Sequence, residues 1–284
     1  MSEHPIVQLS RRYPSLLLPI REGMKDSEQY KNAVLRGQQT EGRPDFSLNE
    51  KDSLASFVTP AGAVDVLCLQ ERADFVHAIR ALAYRCEPKP VPDSMGASSL
   101  SGLINWEKIR RHLEEYCASG GEDENAEFAR FTSEKSNYLD CLIVLSSGPY
   151  SAVPAADMGL EEEEWLSRSL RIRKFHELTH FFSRHLYLEN KDAVRDEILA
   201  DLIGIVSAFG FYDDAAARRF LGLEGEEYRE GGRLQNYCSA EELPAVIVRA
   251  RTLISVFKDY TGKNRTEDVF ALLGNIEKNK IGLA

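Results

Sequence analysis

Residues 175–180 read Phe-His-Glu-Leu-Thr-His, so His176, Glu177 and His180 stand in the order H-E-x-x-H. Glu161 to Glu164 crowd a helix start upstream, where carboxylates suit the positive end of the helix dipole, and the pattern carries that helix from near Glu162 to near Tyr187. Residues i and i+4 lie about 40° apart on a helix, so both imidazoles can reach one ion. Glu177 falls one residue along, beside such an ion rather than beneath it. A carboxylate there can hold a water and take its proton. With 6 His in 284 residues, chance supplies this pattern roughly 0.01 times per chain.

A tetrahedral catalytic zinc takes three protein ligands and keeps one position open. Glu189-Asn190 breaks the first helix, and a second is predicted from about Asp192 to Phe209, closed by Gly210. Glu197 and Asp201 are i,i+4 on it and share a face, and Gly204 near that face lets the two helices approach closely. Glu197 is thus the expected third ligand, with Asp201 orienting a histidine from behind.

Working outward, amphipathic spacing predicts helices over about Glu71–Cys86 and Leu103–Cys117, with a short one near Asn125–Lys135. Ser239 and Glu242 form a capping box for a helix reaching about Tyr260, and Thr266 is placed to cap a last helix to about Asn279. Leu139–Leu145 is the best strand, a continuous apolar run ended by Ser146-Ser147-Gly148-Pro149. The first 60 residues are expected to be irregular with short elements, and the Pro-, Ser- and Gly-rich segment 87–101 to be a loop. The fold class is therefore α+β and mostly helical. Residues 1–135 are expected to shape the cleft and residues 136–284 to carry the metal chemistry.

Composition sets the boundaries of function. Hydrophobic content of 43% and charged content of 28% are those of a chain that builds a core. A net charge of −10 disfavours generic nucleic-acid and anionic-membrane binding. The five cysteines contain no C-x-x-C pair and read as reduced thiols of a cytoplasmic protein. The apolar run Leu16–Ile20 is too short for a signal sequence, and Ile198–Phe211 is too short to span a bilayer and contains Asp201.

The set His176, Glu177, His180, Glu197 and Asp201 resembles the gluzincin metallopeptidases. These carry H-E-x-x-H on one helix and a Glu ligand on a following helix, often with an Asp one turn later. The resemblance runs from about Leu139 to just beyond Ala200. It implies a zincin-like arrangement, one Zn2+ ion, hydrolysis of a peptide or small amide, and an edge strand near Leu139–Leu145 along which an extended substrate lies. The metzincin pattern fails, because Ser183 and Leu186 stand where it needs a glycine and a third histidine. Gluzincins also set a His or Tyr against the tetrahedral intermediate. No His follows His185, so Tyr187, Arg233 and Tyr237 are the candidates. Arg173 and Arg184 fall near the metal face; Arg184 is expected to pair with Glu197, Asp201 or another acid, and the alternative is a clamp for a substrate carboxylate or carbonyl. Arg168, Arg171 and Lys174 are expected to form a solvated face. Two His and one carboxylate would also suit a non-haem Fe(II) oxygenase, although that chemistry has no need of Glu177. A zincin-like protein that holds metal without catalysis is the third reading.

Overall fold

The computed structural model describes residues 3–38, 40, 42, 44–93, 95–190 and 192–283. Contacts group the chain into two units: residues 1–56 with 64–146, and residues 57–63 with 147–284.

The first unit carries helices α1 (Pro5–Arg12), α2 (Glu28–Tyr30), α3 (Arg72–Leu82), α4 (Trp106–Ala118) and α5 (Glu124–Thr132). Its sheet is built from β1 (Ser53–Thr59), β2 (Gly62–Leu69), β3 (Ala97–Ile104) and β4 (Leu139–Ser146), in the order β1-β2-β4-β3. The tips of β1 and β2 group with the second unit. β2 runs parallel to β4 with Asp65 opposite Leu142, and β3 runs antiparallel to it with Leu100 opposite Leu142. A bulge between Ser101 and Leu103 leaves Gly102 at φ +74°.

Two expectations are corrected here. Leu139–Leu145 is an inner strand, not an edge. Leu142, Ile143, Val144 and Leu145 are all fully buried, and an unbroken apolar run is what a strand covered on both faces requires. Segment 97–101, expected to be a loop, begins β3. The first 60 residues carry the short elements expected of them. In α1, His4 caps the helix by accepting from the Ile6 amide at 3.2 Å, Pro5 starts it, and Ile6 and Leu9 are buried. Leu9, Leu67, Leu69, Phe75, Ile79, Leu142 and Val144 share one apolar core.

The second unit holds α6 (Ala155–Met158), α7 (Glu162–Leu186), α8 (Ala193–Phe209), α9 (Asp214–Leu221), α10 (Leu243–Lys263) and α11 (Val269–Lys278). α8 is apolar around most of its circumference because α7, α9, α10 and α11 all pack on it. Asp192 caps its start by accepting from the Arg195 amide at 3.1 Å, and Gly210 closes it at φ +79°. Arg168 and Arg171 of α7 do not form a purely solvated face: they donate to the Ala208 and Ser207 carbonyls at the end of α8. The Ser239–Glu242 capping box forms, with Ser239 N donating to Glu242 Oε2 at 2.9 Å. The cap of α11 is Asp268 rather than Thr266. Among the described residues no helix is long and apolar enough to cross a membrane.

α7 and α8 approach closely at Gly204. A Cβ there would lie 2.8 Å from the Ile172 carbonyl oxygen and 2.9 Å from its Cγ2. The obstacle is backbone, so it cannot rotate away. Gly204→Ala should lose stability by ~1–3 kcal/mol, outweighing the ~1 kcal/mol that alanine adds to a helix. Gly262→Ala in α10 has open space around the added carbon and should be neutral or stabilising. Urea midpoints of the two variants check the pair, and equal midpoints would refute the close approach.

Candidate metal centre

α7 presents His176 and His180 one turn apart, and α8 brings Glu197 to them. The two Nε2 atoms lie 3.1 Å apart. Glu197 Oε2 is 3.4 Å from His176 Nε2, and Oε1 is 3.4 Å from His180 Nε2. A tetrahedral ion with bonds of about 2.0–2.1 Å has ligand–ligand edges of about 3.3–3.4 Å. Each imidazole nitrogen therefore stands at such an edge from one of the two Glu197 oxygens, and the two nitrogens are slightly closer to each other. Glu177 is buried on α7 next to His176 and is not part of this triangle.

Behind His176 lies a buried polar network. Its Nδ1 is 3.0 Å from Asp201 Oδ1 and 3.0 Å from the Tyr150 hydroxyl. The Tyr150 hydroxyl donates to Asp201 Oδ1 at 2.6 Å and accepts from Arg233 Nη1 at 3.0 Å. Arg233 also donates to the other Asp201 oxygen and, at 3.0 Å, to Ser151 Oγ. With Asp201 ionised and the tyrosine proton committed to it, Nδ1 of His176 carries its own proton toward Asp201. Once Nε2 gives up its proton, that arrangement turns its lone pair toward Glu197 and His180.

The loop that holds Tyr150 is fixed in its turn. Arg173, expected at a substrate carboxylate, is buried and donates to the Gly148 and Pro149 carbonyls at 2.8 and 2.7 Å. Tyr150 N donates to Ser169 Oγ at 2.9 Å, and Trp165 Nε1 to the Val153 carbonyl at 2.7 Å. Ser151 and Ala152 take φ of +51° and +56°, left-handed values that side chains disfavour. That strain sits directly beside the residue touching the histidine.

The other candidates divide. Tyr237 faces Glu197. Burial, opposed by Arg233 and aided by Glu197 and Asp201, keeps its phenol protonated far above the ordinary range. Arg233 stands behind the ligands with Asp201. Tyr187 stacks on Phe182, with ring centroids 5.7 Å apart. Together with Arg184 it lines a cleft of about 240 Å³ that also includes His180 and Glu197. Arg184 is exposed and makes no ion pair with Glu197 or Asp201. His185 turns away to the Phe181 carbonyl at 2.7 Å. Tyr150 has no motif in the sequence and is recognised only by its contacts.

A family model described as a family of unknown function, DUF7005, matches residues 2–266. The chain belongs to DUF7005. No curated protein and no solved structure matches it. The DUF7005 region contains the ligand triangle and the whole network behind it.

Charge in this part of the DUF7005 chain is tightly balanced. Burial penalises a charged His176, yet the Asp201 and Glu197 carboxylates outweigh it and raise the imidazole to about 10. Burial likewise opposes ionised Asp201, but Arg233 and His176 bring it down to about 2. Burial opposes ionised Glu197 too, and the two histidines hold it well below the usual carboxylate range.

Any metal must displace the His176 proton at every pH below about 10. Zinc affinity should therefore fall as pH is lowered from 8 to 6, by about tenfold per unit for one displaced proton, with proton release visible by calorimetry in two buffers. A flat profile would refute the assignment. Tyr150→Phe removes the hydroxyl from His176, Asp201 and Arg233 at once. Zinc affinity, read by competition with a chelating dye, should drop roughly 10- to 100-fold, and an unchanged affinity would exclude Tyr150 from the metal's support.

Proposed function

We propose that this chain is a zinc-dependent hydrolase that cleaves a peptide or small amide bond, with His176, His180 and Glu197 as the ligands. The observation that carries this reading is the cluster of donor atoms: the two Nε2 atoms lie 3.1 Å apart, and each is 3.4 Å from a different oxygen of Glu197. The donor chemistry agrees: two neutral imidazoles and one carboxylate are a ligand set of catalytic zinc. The gluzincin-like order of His176, Glu177, His180, Glu197 and Asp201 supports the same conclusion.

A bound zinc would supply Lewis acidity to a water and to the scissile carbonyl. Glu177, one residue from His176 and outside the ligand triangle, takes a proton from water and returns it to the leaving nitrogen. Tyr237 beside Glu197 keeps its phenolic proton and can donate it as a hydrogen bond to an oxygen on which charge develops. Asp201, Tyr150 and Arg233 hold His176 in one tautomer and one orientation. The cleft beside His180 and Glu197 supports a small or terminal substrate group.

Glu177→Gln tests the mechanism. The variant should retain one zinc per chain and lose turnover of a peptide and amide library, followed by mass spectrometry, by roughly 10²–10⁴-fold. Full activity in the variant would refute the role of Glu177. Protein purified without added metal should carry zinc; tightly held iron would favour the oxygenase reading.

A further inference from the structure

The cleft beside the metal ligands carries polar groups that the reaction does not use. Asn190, at the turn between α7 and α8, is only 4% exposed. Its amide nitrogen donates to the Glu277 carbonyl and to Glu277 Oε2, at 3.0 and 3.1 Å. Its Oδ1 is buried and has no partner. Ser183 Oγ is also buried and unpartnered. Both residues line the cleft with His180 and Glu197, as do Asp196 and Glu277.

The charge balance is uneven. Arg195, with a side chain of 0% exposure, lies 3.0 Å from Glu277 Oε2 and 3.6 Å from Asp196 Oδ1. Arg195 Nη1 and Nη2 are buried without a hydrogen-bond partner, so this guanidinium meets the two carboxylates by charge alone, one positive charge against two negative. Asp196 is the accessible member, at 33% exposure against 1% for Glu277. Arg184 lines the cleft too but is exposed, where water and salt screen its charge.

An amide oxygen and carboxylates only accept hydrogen bonds. A buried acceptor without a donor is costly, and a donor that carries positive charge relieves it best. We propose that this cleft is a subsite for a primary ammonium group of the substrate, held by Asp196 and Asn190 while the reacting carbonyl lies at the metal. This rests on the zinc reading and goes beyond it by naming the recognised group. It favours substrates with a free amino group, an α-amine or an amine on a short side chain, over N-blocked ones.

Hydroxamates test it, because they bind zinc without being turned over. Calorimetry on the zinc-loaded full chain would compare alkyl hydroxamates with ω-amino and ω-carboxy forms of the same length, from one to four methylenes. At one length or more, the amine should improve affinity by roughly tenfold or more. In Asp196→Asn the ratio of amino to alkyl affinity should fall to about one, and that ratio corrects for any general loss in the variant. The subsite is overturned, with zinc binding left standing, if alkyl hydroxamates bind but no amine gains, if a carboxylate gains instead, or if the amine's gain survives in Asp196→Asn. If zinc is bound but no hydroxamate binds, the open position beside the cleft is refuted and the subsite falls with it.

Discussion

The close approach of Gly204 to the Ile172 carbonyl sets the spacing of the two helices that carry the candidate metal centre. Ile172 lies one turn before His176 on α7, and Gly204 lies three residues after Asp201 on α8. A side chain at that contact would push the helices apart about one turn from the ligands. The Nε2–carboxylate distances of 3.4 Å would then open, and an ion would face two histidines and a remote carboxylate. Close backbone approach and metal geometry are therefore one constraint seen at two neighbouring turns.

The network behind His176 works against a different cost. Asp201 has 0% side-chain exposure and Arg233 has 16%. Buried charges are tolerated when each is paired and hydrogen-bonded, and removal of one partner leaves the other stranded at a cost of about 3–5 kcal/mol. Tyr150 satisfies both at once, donating to the acid and accepting from the base. Arg173 and Ser169 hold the segment that presents it, and the left-handed residues Ser151 and Ala152 persist because those bonds over-determine the loop. Several basic residues of α7, which run against the overall charge of −10, thus bond to backbone carbonyls: Arg168 and Arg171 from the surface at the end of α8, and Arg173, buried, at the Tyr150 loop.

Much of the centre was legible because its parts obey local rules. His176 with His180, and Glu197 with Asp201, are i,i+4 pairs, so helix geometry alone puts each pair on one face. Gly204 was recognisable as a close-approach position for the same reason. The N-terminal sheet was less legible. β3 reads Ala-Ser-Ser-Leu-Ser-Gly-Leu-Ile, small and polar with a bulge at Gly102, which resembles a loop until a partner strand supplies its hydrogen bonds. The run Leu139–Leu145 announced a strand but not its place. Continuous apolarity records cover on both faces, and the neighbours that supply it, β2 and β3, come from distant sequence.

Sequence by itself determined the two helices of the candidate site, their breaks and caps, the H-E-x-x-H face and the carboxylates opposite it. All of these follow from periodicity over at most a few turns. Tertiary structure alone decided that Tyr150 and Arg233 stand behind His176, that Arg173 anchors a loop, and that β4 is an inner strand. Tyr150 reaches its partners across 26, 51 and 83 residues of chain. No local pattern encodes a contact at that range. It arises when the packing of α7, α8 and the Arg233 turn leaves one buried position that a hydroxyl, able both to donate and to accept, can satisfy.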